Sequence, residues 1–175
     1  MMNLNKNITI FTDASFCDKT KVAGWGAWAK RDGWERGIFH GGPIRDSYIT
    51  SSGKAELLAI LYALRYYNNI DAFVDMETIM IQSDSVDAIR SVLSYVNDSV
   101  YRASNITSDV KNIQIGTLIG GKQTEDIMEE ITDISRDKIL MLRHVKGHKA
   151  SSKRGRVNDI CDEIAKKHMR SIRGK

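Results

Sequence analysis

The 175-residue sequence predicts one α/β domain spanning 1–175: a mixed five-stranded sheet, three strands antiparallel and two parallel, with helices on both faces. Three observations predict it. The first 42 residues carry three successive strand patterns and no helical one. Two later strand patterns are each entered through a helical segment, and right-handed crossovers of that kind set strands parallel. No linker, repeat or low-complexity stretch divides the chain, whose length suits a single core.

Asn7 to Thr12 alternates and is rich in β-branched residues, so it reads as a strand ending at Asp13. Val22–Lys30 and Trp34–His40 continue as two more strands, joined by a turn at Arg31-Asp32-Gly33. After Gly41-Gly42-Pro43, the run Thr50-Ser51-Ser52-Gly53 offers N-caps for a helix over Lys54–Tyr67, with apolar Leu57, Leu58, Leu61, Tyr62 and Leu64. Thr78–Gln82 is the fourth strand and ends at Ser83-Asp84. Val86–Val96 has apolar residues at helical spacing, residues 97–123 are polar and turn-rich, and Glu125–Ile134 is again amphipathic. Lys138–His144 is the fifth strand, and a helix over about Val157–Arg170 closes the chain.

Composition narrows the function. Nowhere do 18 consecutive apolar residues occur, and Met1 to Lys6 has no apolar signal region, so a cytoplasmic protein without membrane contact is expected. Cys17 and Cys161 stand far apart, which excludes a disulfide framework and a zinc ribbon. Residues 136–175 hold 13 Lys and Arg against 4 Asp and Glu, a net +9 that leaves −5 for the rest. A basic face of this kind is the footprint of a polyanion partner, nucleic acid being the commonest.

Carboxylates mark the chemistry. In a sheet of this type, sites form beyond the carboxyl ends of the strands. Asp13 and Asp84 follow strands expected to be parallel neighbours, Glu56 lies in the expected first turn of the first helix, and the last helix carries Asp159, Asp162 and Glu163. Close carboxylates repel unless one is protonated or a cation lies between them, and oxygen ligands without His or Cys select Mg²⁺ or Mn²⁺. Each also has a structural reading: Asp84 as a helix cap, Glu56 on the helix dipole, Asp13 in a turn, Asp162 paired with Lys166 at i, i+4. In the last helix Asp159 and Asp162 share nearly one face, whereas Glu163 is turned about 100° away.

Five segments in order, Ile10-Phe11-Thr12-Asp13-Ala14-Ser15, Ala55-Glu56-Leu57-Leu58-Ala59, Gln82-Ser83-Asp84-Ser85, His144-Val145-Lys146-Gly147-His148 and Asn158-Asp159-Ile160-Cys161-Asp162-Glu163-Ile164-Ala165, resemble the type 1 ribonuclease H family over nearly the whole chain. The resemblance implies a ribonuclease H-like fold and a hydrolase that cuts the RNA strand of RNA–DNA hybrids with two Mg²⁺ ions, for which Mn²⁺ can substitute. It implies Asp13 as the ligand shared by both ions, Glu56 and Asp84 on the leaving-group side, and Asp162, four residues after Asn158, on the side of the attacking water. It further implies a loop histidine, His148, in water activation or product release. Products would carry 5′-phosphate and 3′-hydroxyl ends. Ser52 stands where relatives often have an asparagine that reads the RNA 2′-hydroxyl, and Lys146 and Lys149 are expected to bind substrate. The loop after Asp13 lacks the glycines of many relatives, and Asn97–Lys122 has no tryptophan and few cations, unlike the basic handle some of them carry.

Gly116 to Gln123 nearly satisfies a phosphate-binding loop, but Gln123 replaces the required hydroxyl residue, so no nucleotide cofactor is expected. The sequence therefore predicts a monomeric ribonuclease H without sequence specificity. Its alternatives are another two-metal nuclease of this fold, a junction resolvase or DNase, and a non-catalytic nucleic-acid-binding module.

Overall fold

The computed structural model describes residues 6–45, 49–73, 75–97, 106–108, 124–145 and 153–174. Its elements are β1 (Asn7–Cys17), β2 (Val22–Arg31), β3 (Ile38–Ile44), α1 (Ser52–Asn68), a 3₁₀ turn (Asp71–Phe73), β4 (Thr78–Ser83), α2 (Val86–Asn97), β5 (Ile106–Ser108), α3 (Thr124–Ile134), β6 (Ile139–His144) and α4 (Lys153–Ile172). The sheet order is β3-β2-β1-β4-β6-β5. β1, β2 and β3 are antiparallel, and β4 and β6 run parallel to β1. The five expected strands thus form with the expected directions.

Four boundaries differ, each for a tertiary reason. A sixth strand, β5, pairs Ile106 with Leu140 through Ser108 with Leu142 at the outer edge; three residues are too few to show a period in sequence. β1 does not stop at Asp13 but continues to Cys17, because β2 remains its partner there after β4 has ended. β3 lies at Ile38–Ile44 rather than Trp34–His40, since Ala29 pairs with Ile38, while Trp34 leaves the sheet to pack on Phe73 with ring centroids 5.5 Å apart. Pro43 is tolerated in β3 because that strand is an edge. Finally, α4 begins four residues before the expected Val157.

The main core lies between one sheet face and α1, α2 and α3. It joins Ile8 and Ile10, Ala27 and Ala29, and Ile79 and Ile81 from the sheet to Leu57, Leu61, Leu64, Ile89, Val92 and Ile131 from the helices. On the other face α4 crosses β1 and β2 at backbone range. A Cβ on Gly26 would fall 2.1 Å from the Cys161 carbonyl oxygen, and one on Gly24 would fall 2.2 Å from that of Ala165. Glycine is needed here to admit the helix, and Cys161 then seats against Phe11 and Val145. Both cysteines are free thiols. No helix among the described residues is long and apolar enough to cross a membrane.

Candidate active site

The parallel β1–β4 ladder ends at the pair Phe11–Gln82. Asp13 and Asp84 each lie two residues further on, and since side chains alternate with period two they stand on the same face, side by side. The cap reading of Asp84 fails. Ser85 performs that task, its Oγ accepting from the Ala88 N–H at 3.2 Å and its carbonyl accepting from the Ile89 N–H. The Asp84 main chain is further pinned by His144, whose Nε2 donates to the Asp84 carbonyl oxygen at 3.2 Å. In the sequence His144 is a strand end and opens one of the segments that resemble the family, with no sign of this contact.

Glu56 arrives from α1. Ser51 caps that helix, accepting from the Lys54 N–H at 3.2 Å, so the helix starts at Ser52 and Glu56 lies in the second turn, not the first. There the dipole explanation fades. What remains is the approach to Asp13 and Asp84: one oxygen from each of the three carboxylates lies within 4.8 Å of the others.

Such crowding changes protonation. Burial first, then the charges of Asp84 and Asp162, push the Asp13 carboxyl up to about 7, against the pull of the Ala14 N–H that donates to its Oδ1 at 2.9 Å. Burial, with the Asp13 and Asp84 charges added, holds Glu56 well above the ordinary carboxylate range. Both carboxyls are thereby held toward the protonated form. One of its oxygens, Oε2, is cut off from solvent and has no hydrogen-bond partner among the described residues. A partly buried all-oxygen cluster with an unsatisfied acceptor fits a hard divalent cation, which would satisfy the oxygen and favour the charged carboxylates.

Asp162 approaches from α4. It stands outside the three-carboxylate cluster, yet its charge is felt at Asp13, and its Oδ2 accepts from Lys166 Nζ at 2.5 Å. The i, i+4 pair expected from sequence is thus real, and it coexists with a place beside the site. Asp159 is half-buried on the same helix, while Glu163 is exposed.

Three comparisons bear on what this constellation is. The sequence model of the RNase H family matches residues 5–170. The chain belongs to the RNase H family. No curated protein matches it in overall sequence. Solved structures share its fold: LC11-RNase H1, determined in complex with an RNA/DNA hybrid, at TM-score 0.61 and 17% identity, over 94% of this chain and 97% of that one. RNase H1 from the halophilic archaeon Halobacterium salinarum NRC-1 aligns at TM-score 0.60 and 13% identity over 94% and 98%. A foamy viral protease-reverse transcriptase in complex with dsDNA aligns at 0.59 and 16% over 97% of each chain.

As a ribonuclease H enzyme, the chain is a hydrolase of nucleic acid, and its acidic cluster lies where the fold gathers the ends of β1 and β4. Ser52, at the start of α1, is exposed. The substrate-binding residues Lys146 and Lys149, the catalytic candidate His148, and the phosphate-loop resemblance at 116–123 lie outside the described residues. Lys153 and Arg156, on the first turn of α4, carry part of the basic tail and are exposed. Two buried features had no signal in the sequence: Thr12 Oγ1 and Gln82 Oε1, close in the chain to Asp13 and Asp84, have no hydrogen-bond partner among the described residues.

Proposed function

We propose that this chain hydrolyses the RNA strand of RNA–DNA hybrids with two Mg²⁺ ions, leaving 5′-phosphate and 3′-hydroxyl ends, and without sequence specificity. The observation that carries the reading is the close trio Asp13, Glu56 and Asp84, in which Glu56 Oε2 is shielded from solvent and has no hydrogen-bond partner among the described residues. Asp13, Glu56 and Asp84 would hold the ion on the leaving-group side, and Asp13 with Asp162 the ion on the side of the attacking water. Two ions so held would supply an acidified water and would stabilise the departing 3′ oxygen. The protein's own groups do the rest. Asp13, between the other carboxylates, orients both halves of the site. Ser52, one helical turn before Glu56, can donate to and accept from a 2′-hydroxyl. Lys146 and Lys149 bind backbone phosphate, a contact that ignores base identity. His148 exchanges a proton near neutral pH, where imidazole titrates.

The hybrid is favoured as substrate by the RNA/DNA hybrid bound to LC11-RNase H1, a protein of the same fold. The test is a cleavage assay on labelled RNA–DNA hybrid, double-stranded RNA and double-stranded DNA, each with Mg²⁺, Mn²⁺ or EDTA. Mg²⁺-dependent cutting of the RNA strand of the hybrid alone, with phosphatase-sensitive 5′ ends, is expected. Equal cutting of double-stranded DNA would make the chain a different nuclease of this fold, and no cutting with either metal would leave a binding module.

A further inference from the structure

On the sheet face where Asp13 and Asp84 stand, α4 covers only part of the strands. Its Cys161 carbonyl rests over Gly26, the residue paired with Asp13. One row further down the sheet, Trp28, Phe11, Gln82 and Arg143 lie side by side across β2, β1, β4 and β6, and below them come Lys30 and Met80, each paired with Thr9. These side chains line an open trough of about 420 Å³, within the roughly 300–1,000 Å³ of ligand clefts. Its upper row is two residues, about 7 Å, from the carboxylates, since Phe11 precedes Asp13 and Gln82 precedes Asp84 on the same face. Trp28 is held ready there. Its indole meets Phe11 edge-on with centroids 5.6 Å apart, lies 6.4 Å from Phe39, and rests on Gly37, where a Cβ would fall 2.2 Å from the ring, yet it stays half-exposed. Gln82 is buried, and its Oε1 has no hydrogen-bond partner among the described residues. The carboxylate that lines the trough, Asp32, sits beyond the second row and accepts from Asn7 Nδ2 at 3.1 Å.

We propose that this trough is a platform for an unpaired nucleic-acid strand that runs on from the duplex lying at the carboxylates, so that the protein engages a hybrid best where pairing ends. Where that strand comes from rests on the proposed cutting of hybrids. Continuity and charge both favour this occupant. A strand leaving the carboxylates along β1 and β4 enters the trough within one pleat repeat. Lys30 on β2 and Arg143 on β6 place a cation at each side for phosphates, and Trp28 offers a fixed plane between them. Cations beside an aromatic face grip single strands whatever their sequence, because every base has a face to stack. A fully paired end presents phosphates to the cations but keeps its bases stacked inside, so it leaves the indole unused.

The test measures binding, by fluorescence anisotropy in Mg²⁺, of hydrolysis-resistant hybrids carrying a 2′-fluoro RNA strand. The hybrids are blunt, or bear at either end a short tail of thymidylate, of uridylate or of abasic DNA. Wild type should bind a thymidylate or uridylate tail roughly five- to thirtyfold more tightly than the blunt hybrid, the scale of one stacked base, and an abasic tail only slightly more tightly. Trp28→Leu, which keeps an apolar group against Phe11, should lose the advantage that the bases confer. Lys30→Glu should shrink the advantage of every tail and lower the salt slope of tailed-hybrid binding by about one. Lys30 lies at the half-exposed end of its strand, so this variant carries the test if Trp28→Leu does not fold. Equal affinity for tailed and blunt hybrids in wild type overturns the proposal, and so does a tail advantage that both variants retain. Sedimentation of the free protein supplies the other occupant: a dimer that Trp28→Leu dissolves, without any tail effect, would assign the face to a second copy of the chain. Cleavage of ordinary hybrid by the same preparations separates the two readings, because a tail advantage without cleavage upholds the platform and defeats the hydrolysis, whereas cleavage without a tail advantage does the reverse.

Discussion

Replacing Asp13 by asparagine should make the metal-free protein more stable while ending its activity. The Asp13 carboxyl is lifted from an ordinary 3.8 to about 7, first by burial and then by Asp84 and Asp162. A raised acid costs nothing at low pH, where folded and unfolded chains are both protonated. As the pH climbs from about 4 toward 7 the unfolded chain releases its proton and the folded one does not, so stability falls across that window and stays reduced above it. A shift of about 3 units at about 1.4 kcal/mol each sets a ceiling near 4 kcal/mol. An asparagine amide oxygen can still accept from the Ala14 N–H, but the bond loses its charge assistance and Glu56 loses its anionic acceptor. The net gain expected for Asp13→Asn at pH 8 in EDTA is therefore about 1–3 kcal/mol, or roughly 2–12 °C in Tm for a domain of this size. Thermal and urea melts at pH 4.5, 6 and 8, with EDTA and with Mg²⁺, measure it. The gain should fall to about a quarter at pH 4.5, and should shrink at pH 8 when Mg²⁺ binds and stabilises the wild type. An Asn variant melting at or below wild type at pH 8 in EDTA, or a gain indifferent to pH, would refute the account of the cluster as a site of unrelieved charge.

Four further outcomes are expected. Asp162→Asn should lower Mg²⁺-supported cleavage by about a hundredfold or more, with partial recovery in Mn²⁺, whereas Asp159→Asn stays within a few-fold, both measured on one hybrid at one metal concentration. Gly26→Ala, whose Cβ would meet the Cys161 carbonyl at 2.1 Å, should destabilise the fold by about 1–3 kcal/mol in urea unfolding and, by lifting α4, depress cleavage more than hybrid binding. His148→Ala should slow turnover on the order of ten- to a hundredfold; a mutant with wild-type turnover from pH 6 to 9 would remove the histidine from the mechanism. Charge reversal of Lys146, Lys149, Lys153, Arg154 and Arg156 should flatten the salt dependence of hybrid binding and raise KM before single-turnover cleavage at saturating hybrid is altered.

Much of the fold was legible because its signals are local. Alternation in Asn7–Thr12 and helical spacing in α1 and α2 survive in one dimension, and so does the order of strands and helices that makes β4 and β6 parallel to β1. The three carboxylates that the structure gathers, Asp13, Glu56 and Asp84, were legible as well, through their place after strands and on a helix and through the family pattern around them. Boundaries slipped where a partner strand decided them: β1 runs past Asp13 because β2 does, and β3 is displaced because Ala29 chose Ile38. The three residues of β5 carry no period of their own.

By itself, then, the sequence determined which residue types could bind a hard cation, on which elements they ride, and in what order the elements follow. The tertiary structure alone decided what each carboxylate does. It gave the helix cap to Ser85 rather than Asp84, and it brought α4 onto bare glycine backbone so that the charge of Asp162 is felt at Asp13. It raised the Glu56 carboxyl by burial and set Lys166 on Asp162. The physical reason is that propensity and periodicity act between neighbours in the chain, whereas desolvation and Coulomb coupling depend on distances across strands and between layers that no local pattern encodes.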